Sequence, residues 1–260
     1  MKKYLKLWYM YSIYTSQVGL QSRFGAGLFL IGKFLRFGIF LFFFYVLSAK
    51  VDEIAGYTFW QMIFIFSTFN LVDIASQLLL REVYRFRGYV VTGSLDYFLI
   101  RPISPIFRFL FGGADILDFP MFITSAILVI ISLFHVENVS VLGIIAYFSL
   151  VSNALLIALA FHIFVLAMGI LTTEVDNTLW LYRDLLQMGR IPTDLYTQPI
   201  RALITFAMPV GIMITFPAKA LFGTLSPFLI LLSFGVGFGF LIMSYLFWQF
   251  SLRRYSSASS

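Results

Sequence analysis

Residues 141–171 read VLGIIAYFSLVSNALLIALAFHIFVLAMGIL, and no Lys, Arg, Asp or Glu interrupts them. A helix needs about 20 mostly apolar residues to cross the roughly 30 Å hydrocarbon core of a bilayer. This stretch exceeds that, so lipid is the solvent around it. Working outward, five more segments qualify. The predicted spans are about 27–48, 57–80, 108–134, 141–171, 202–222 and 226–250. The third carries Asp115 and Asp118 near its start. The fifth is interrupted by Pro209 and Pro217, which predicts a bent helix followed by a short re-entrant piece.

Composition agrees with that solvent. Of 260 residues, 60% are hydrophobic and 12% charged, against about 45–50% and about 25% in an ordinary soluble domain. Mean hydropathy is +0.92, and there are 32 Phe, 14 Tyr and 4 Trp. A soluble enzyme, a disordered chain and a DNA-binding module are excluded, because none could hide so much apolar surface. Cys is absent, which removes disulfides, thiolate nucleophiles and Cys-ligated metals. Two His are too few for a His-based metal site. The basic N-terminus lacks the apolar core and small-residue site of a cleavable signal peptide.

The net charge is +6, and its distribution sets the expected orientation. With the N-terminus in the cytoplasm, 16 of the 18 Lys and Arg fall on the cytoplasmic side, leaving Lys50 and Lys219 outside. Positive charge collects inside, and an even number of spans brings both termini there. Loops at about 81–107 and 172–201 are then cytoplasmic, and the outer loops are short. Residues 1–23 predict an amphipathic interfacial helix. Tyr4, Leu7, Trp8, Tyr11, Tyr14 and Val18 share one face, opposite Lys2, Lys3, Lys6 and Gln17.

Several motifs are excluded. There is no G-x-x-x-x-G-K-[ST] loop, so the chain does not bind ATP in the P-loop manner. Gly235-Val236-Gly237-Phe238-Gly239 lies inside an apolar helix with no preceding strand. Its Gly235 and Gly239 have the G-x-x-x-G spacing of close helix packing. The triplet Asn138-Val139-Ser140 lies too near the membrane to act as a glycosylation acceptor.

Polar residues inside the spans are functional candidates. Asn70, Asp73 and Gln77 recur at i, i+3 and i+7, on one helix face. Exposing Asp73 to lipid would cost about 2.5–3.5 kcal/mol, so the stripe faces protein or a water-filled path. It either lines a translocation pathway or locks helix packing. His162 lies mid-membrane, and a hydrogen bond to a neighbouring helix accounts for it. Asp115, Asp118 and Arg108 fall on a similar face and predict a local ion-pair network.

The loop after the second span contains Gly93-Ser94-Leu95-Asp96-Tyr97-Phe98-Leu99-Ile100-Arg101-Pro102-Ile103-Ser104-Pro105. Thr92 or Ser94 can cap a short helix, and Pro102 and Pro105 end it. Such a helix is a lever that shows Leu95, Phe98 and Leu99 to a soluble partner, flanked by Asp96 and Arg101.

The G-x-L-D-x-x-L-x-R-P-x-S-P pattern at Gly93–Pro105 resembles permease subunits of bacterial ABC exporters in the type-2 ABC permease superfamily. More narrowly, it is similar to the branch whose six-span permeases are encoded apart from their ATPase. A second block supports the resemblance. It runs Met188-Gly189-Arg190-Ile191-Pro192-Thr193-Asp194-Leu195-Tyr196, through Arg201, Phe206 and Pro209, to Phe216-Pro217-Ala218 and Leu221-Phe222-Gly223. An aromatic residue often stands in that branch where Ile191 stands here.

The implied fold is all-α integral membrane: six transmembrane helices, the interfacial helix at 1–23 and a short cytoplasmic coupling helix between spans 2 and 3. The permease domain covers 24–255 and a polar tail 256–260. The resemblance implies one half of an ATP-driven exporter in the bacterial cytoplasmic (inner) membrane. Its partners would be a cytoplasmic ABC ATPase and a second permease, identical or paralogous, with no nucleic acid. ATP and Mg would bind the ATPase, and this chain would hold no cofactor and no metal. Gly93, Leu95, Asp96, Phe98, Leu99, Arg101 and Pro102 would couple to the ATPase. Asp176, Arg183, Asp184 and Arg190 would form a second cytoplasmic contact, and Asn70, Asp73, Gln77 and His162 would line the pathway. A hydrophobic or amphipathic small molecule or peptide suits the Phe-rich interior, and a lipid-linked glycan is an alternative. An ion-coupled or passive transporter using Asp73 needs no ATPase.

Overall fold

The computed structural model describes residues 2–51, 53–137 and 139–256. Asn138 of the glycosylation triplet and residues 257–260 of the predicted tail lie outside the described residues. Among the described residues there is no strand, and an isolated bridge joins Ile54 to Tyr57. The protein is an all-α membrane protein.

Helix α1 (Lys2–Leu20) leads into α2 (Arg23–Ser48), where the Ser22 side chain accepts from the Gly25 amide. Apart from Arg23, Lys33 and Arg36, helix α2 is apolar, and Phe24, Ile31 and Phe42 are exposed. That is the pattern of a lipid-facing helix rather than of a half-buried one. Helix α3 (Phe59–Leu80) starts at a capping box between Thr58 and Gln61, which satisfies two of the helix's free amides. A 3₁₀ turn at Arg81–Arg85 follows, then α4 (Phe86–Val91), α5 (Ser94–Leu99) and α6 (Pro105–Leu110). Gly93 enters α5 at φ +70°, a conformation open to glycine without strain.

The predicted span 108–134 is not one helix. After α6 the chain breaks at Phe111–Asp115, turns through Ile116–Asp118, and resumes as α7 (Phe119–Leu133). Two glycines explain the break. Gly113 sits at φ +104°, and a Cβ there would lie 2.4 Å from the Tyr11 backbone. A Cβ on Gly112 would strike the Glu82 carboxylate at 1.9 Å. Helix α1 packs into this break: the Ala114 amide donates to Ser12 Oγ at 2.9 Å, and Thr15 Oγ1 donates to the Gly112 carbonyl at 3.3 Å. Thus Tyr4, Leu7, Trp8 and Tyr11 turn toward protein. Tyr14 and Val18, read on the same face, are exposed together with Leu5, Tyr9 and Ile13.

Helix α8 (Val141–Thr172) is the long apolar run. It is followed by α9 (Val175–Gln187) and short 3₁₀ turns to Leu195. The segment 172–201 was expected as a loop at one membrane face. Instead, 175–195 runs antiparallel to the stretch from Tyr57 to Arg87, with contacts at four points. Asp176 lies 3.7 Å from Arg87 past the end of α3. Arg183 meets Tyr84 at 3.5 Å, Arg190 lies over the Phe69 ring at 5.6 Å, and Asp194 reaches Tyr57 before the start of α3.

The predicted fifth span at 202–222 is bent next to Pro209, as its interrupted pattern leads us to expect. Helix α10 (Ile200–Ala202) continues through a π turn to Ala207. A second π turn (Gly211–Thr215) runs into α11 (Phe216–Leu221), and the two arms are bent by 73°. Arg201 in the first arm and Lys219 in the second both pair with Asp194. Both arms are thus tied by a long side chain to one carboxylate, an arrangement open to a broken span or to a re-entrant hairpin. The residues at the bend, Met208 and Val210, reach Phe161 and Val165 along α8.

Helix α12 (Pro227–Arg253) packs along α8. The close contact is not at Gly235 and Gly239, around which the space is open. It is at Ser233 and Gly237: Asn153 Nδ2 donates to the Ser233 carbonyl at 2.9 Å, and a Cβ on Gly237 would lie 2.1 Å from Asn153 Oδ1. The stripe that packs is Ser233, Gly237, Ser244, Trp248 and Ser251, so the small-residue principle holds with the glycine register shifted by two.

Candidate functional site

Asn70, Asp73 and Gln77 do come together on the wall of one cavity. Its volume is about 40 Å³, room for a few water molecules. Arg36 from α2, Arg183 from α9, and Arg190 share the cavity with Asp73, walled by Phe37, Phe40, Phe66 and Phe69. The Arg190 guanidinium lies 4.7 Å from the Phe40 ring centre, a cation–π distance. Arg183 and Arg190, expected at a cytoplasmic contact, thus face the interior. Asp176 is at the end of α9, and Asp184 is exposed on its opposite side.

His162 does not join this site. It is buried, its Nδ1 lies 2.7 Å from the Ala158 carbonyl of its own helix, and its ring meets Tyr182 edge-on at 5.3 Å. The partner is one turn back rather than on a neighbouring helix.

The cavity continues into a larger cleft of about 730 Å³ between α2 and α9. The two share Lys33, Arg36, Gln77 and Arg183. Arg81, Arg85, Tyr84, Phe29 and Trp180 complete much of the cleft wall. Lys33 and Arg36 were read as cytoplasmic charges. The signal that could have found them is their i, i+3 spacing inside an apolar span, where ionisable residues carry function.

Asp115 and Asp118 do form an ion-pair network, with other cations than expected. Asp118 pairs with Lys33 and with Arg81 at 2.5 Å, and Asp115 with Arg81 at 3.0 Å. Arg108 lies on the far side of the helix break and pairs with buried Glu82 at 2.8 Å. Tyr89 donates to the same Glu82 carboxylate at 2.7 Å, and Arg85 approaches it at 3.2 Å. Burial, then the bond and charge of Glu82, push the Tyr89 hydroxyl's pKa up.

Helix α5 sits beside this cluster. Leu95 is wholly buried, and Phe98 packs on Tyr89 at 5.1 Å and Phe109 at 5.6 Å. These residues, and half-buried Leu99, hold α5 to the bundle instead of facing outward. The face it shows carries Tyr97, Ile100, Arg101 and Pro102, with the Arg101 guanidinium 3.8 Å from the Tyr97 ring centre. Asp96 lies beside Tyr255 after α12, and Lys3 of α1 donates to the Pro102 carbonyl at 3.4 Å. The first and last helices thus meet at the α5 end.

At the other end, Asp194 gathers Tyr57, Arg201 and Lys219. Burial, and then the bond to that carboxylate, push the Tyr57 hydroxyl up.

A comparison with curated proteins and with solved structures found no match. A family model described as "ABC-2 family transporter protein" matches residues 34–259. It takes in everything from the middle of α2 onward: the cavity's polar face, α5, the bent segment and α12. On that match the chain belongs to the ABC-2 family of membrane transport proteins.

Proposed function

We infer that this chain is the permease subunit of an ABC exporter whose ATPase is a separate cytoplasmic protein. The observation that carries the reading is α5. A short helix, clamped by Leu95 and Phe98 beside the buried Glu82 cluster, presents Tyr97, Ile100 and Arg101 at one end of the bundle. A rigidly held lever suits the transmission of a partner's movement, and the absence of a P-loop from the sequence puts ATP and Mg in that partner.

Six crossings follow: α2, α3, α7, α8, the segment 175–195 and α12. The hairpin at 200–221 enters and leaves by the outer face. Both termini and α5 are cytoplasmic, in a bacterial inner membrane. A second permease, identical or paralogous, completes the pathway, and Asn70, Asp73 and Gln77 line it. The cargo is a hydrophobic or amphipathic molecule.

The test is purification of the tagged chain from its native host in mild detergent, followed by mass spectrometry. A soluble P-loop ATPase should co-purify. Its absence, under conditions that keep other ABC complexes whole, would leave ion coupling through Asp73 as the better account.

A further inference from the structure

We propose that the cleft between α2 and α9 is a head-group site, which takes the phosphate of an anionic amphiphile while its apolar part stays against the outward face of α2. The inference rests on the transport reading above and names the chemistry of the cargo's polar end.

Charge balance carries it. Lys33 and Arg81 are neutralised by Asp118 and Asp115, and Arg85 shares Glu82 with Arg108. Arg36, Arg183 and Arg190 have no carboxylate within 4.0 Å among the described residues. They surround Asp73 in the cavity, so three guanidinium groups meet one carboxylate and leave an excess of two positive charges. Among the described residues, no carboxylate lines the cleft itself. Like charges repel more strongly as the local dielectric falls, so this arrangement needs an anion. Guanidinium forks match phosphate oxygens two by two. Asp73 shares the cavity with the three guanidinium groups but pairs with none of them, so their forks stay open to a ligand.

Size and setting narrow the ligand. The volume of about 730 Å³ falls within the roughly 300–1,000 Å³ of small-molecule sites, the scale of a single head group. Exposed Leu28, Phe29 and Trp180 stand at the cleft. Beyond them the outward side of α2 is apolar, with Phe24, Ile31 and Leu35 exposed. A charged head in the cleft thus has a continuous apolar surface for its tail.

Native mass spectrometry of the full chain in mild detergent tests this. Phosphatidylglycerol and phosphatidylcholine of equal chain length serve as probes, with inorganic phosphate as the free anion. The wild type should retain phosphatidylglycerol about tenfold better than phosphatidylcholine, the scale of one or two charge-assisted bonds. R36Q/R183Q should lose that preference, and R253Q, at an exposed cation on the end of α12, should keep it. Retention that millimolar phosphate does not displace assigns the lipid head group. Phosphate binding that R36Q/R183Q abolishes, with no lipid preference, assigns a soluble phosphate to the same site. Equal retention of both lipids with no phosphate binding overturns the proposal, as does wild-type retention by R36Q/R183Q. Should that variant not fold, R190Q and the wild-type lipid comparison decide. Loss of the ATPase partner is a separate result, because the lipid measurement needs no ATPase.

Discussion

Asp194 is one carboxylate with three partners, two of them cations. D194N keeps the shape of the side chain and removes its charge, and should cost about 1–3 kcal/mol as charge-assisted hydrogen bonds are lost. Thermal unfolding in detergent at neutral pH reads this as a lower melting temperature. An unchanged melting temperature would mean that the carboxylate's charge is not what holds the cluster. Gly237 offers a second residue-scale prediction. G237L should cost about 1–3 kcal/mol by overpacking against Asn153, whereas G235L, in open space, should stay within about 0.5 kcal/mol. Melting of the two variants decides between the registers. The stripe Asn70, Asp73, Gln77 was legible from spacing alone, because residues on one helix share a face whatever surrounds them. The identity of their neighbours was not. Arg36, Arg183 and Arg190 come from two other segments, and only tertiary packing says that they converge. For the same reason the G-x-x-x-G spacing of Gly235 and Gly239 marked the right helix and the wrong face.

At the scale of elements, α5 was legible as a short helix bounded by a glycine and prolines, but its orientation was not. Apolar Leu95, Phe98 and Leu99 could have faced a partner or the bundle, and the buried Phe86, Phe109 and Trp248 nearby claim them for the bundle. Two kinds of variant should therefore differ. L95A should destabilise the protein by about 2–5 kcal/mol, as cavity-forming changes do, and so says little about coupling. Y97A/I100A/R101A should leave insertion and melting unchanged and reduce substrate-dependent ATPase activity of the assembled complex at least tenfold, the effect of losing interface anchors worth about 2 kcal/mol. Unchanged activity in that triple variant would remove α5 from the coupling path. The Glu82 cluster behind it is tighter. E82Q strips the charge from a buried partner of Arg108 and should cost about 3–5 kcal/mol, read as a lower melting temperature.

For the whole molecule, the topology rests on which segment makes the fifth crossing. Hydropathy chose 202–222 because it is apolar, and passed over 175–195 because it carries Asp176, Arg183, Asp184 and Arg190. On the proposed topology those charges mark no loop, because Arg183 and Arg190 face a cavity inside the bundle. A hydropathy average weighs residues without asking which way they point. The two topologies predict different sides for Gln198. The natural chain has no Cys, so Q198C and S104C can each be introduced as a lone thiol. A membrane-impermeant maleimide added to intact cells should label Q198C and spare S104C. Labelling of neither from outside would restore the hydropathy topology.

The hairpin at 200–221 has a consequence for motion. A segment that enters and leaves by one face has no footing on the other, so it can be withdrawn like a cork without dragging a helix through lipid. Both feet of the cork, Arg201 and Lys219, are tied to a single peg, Asp194, on the segment that crosses beside it. Any tilt of that segment lifts the two feet together. On the proposed topology the outer mouth of the pathway would be stoppered by a piece that travels with its neighbour, and opening it would ask for one joint to move rather than two.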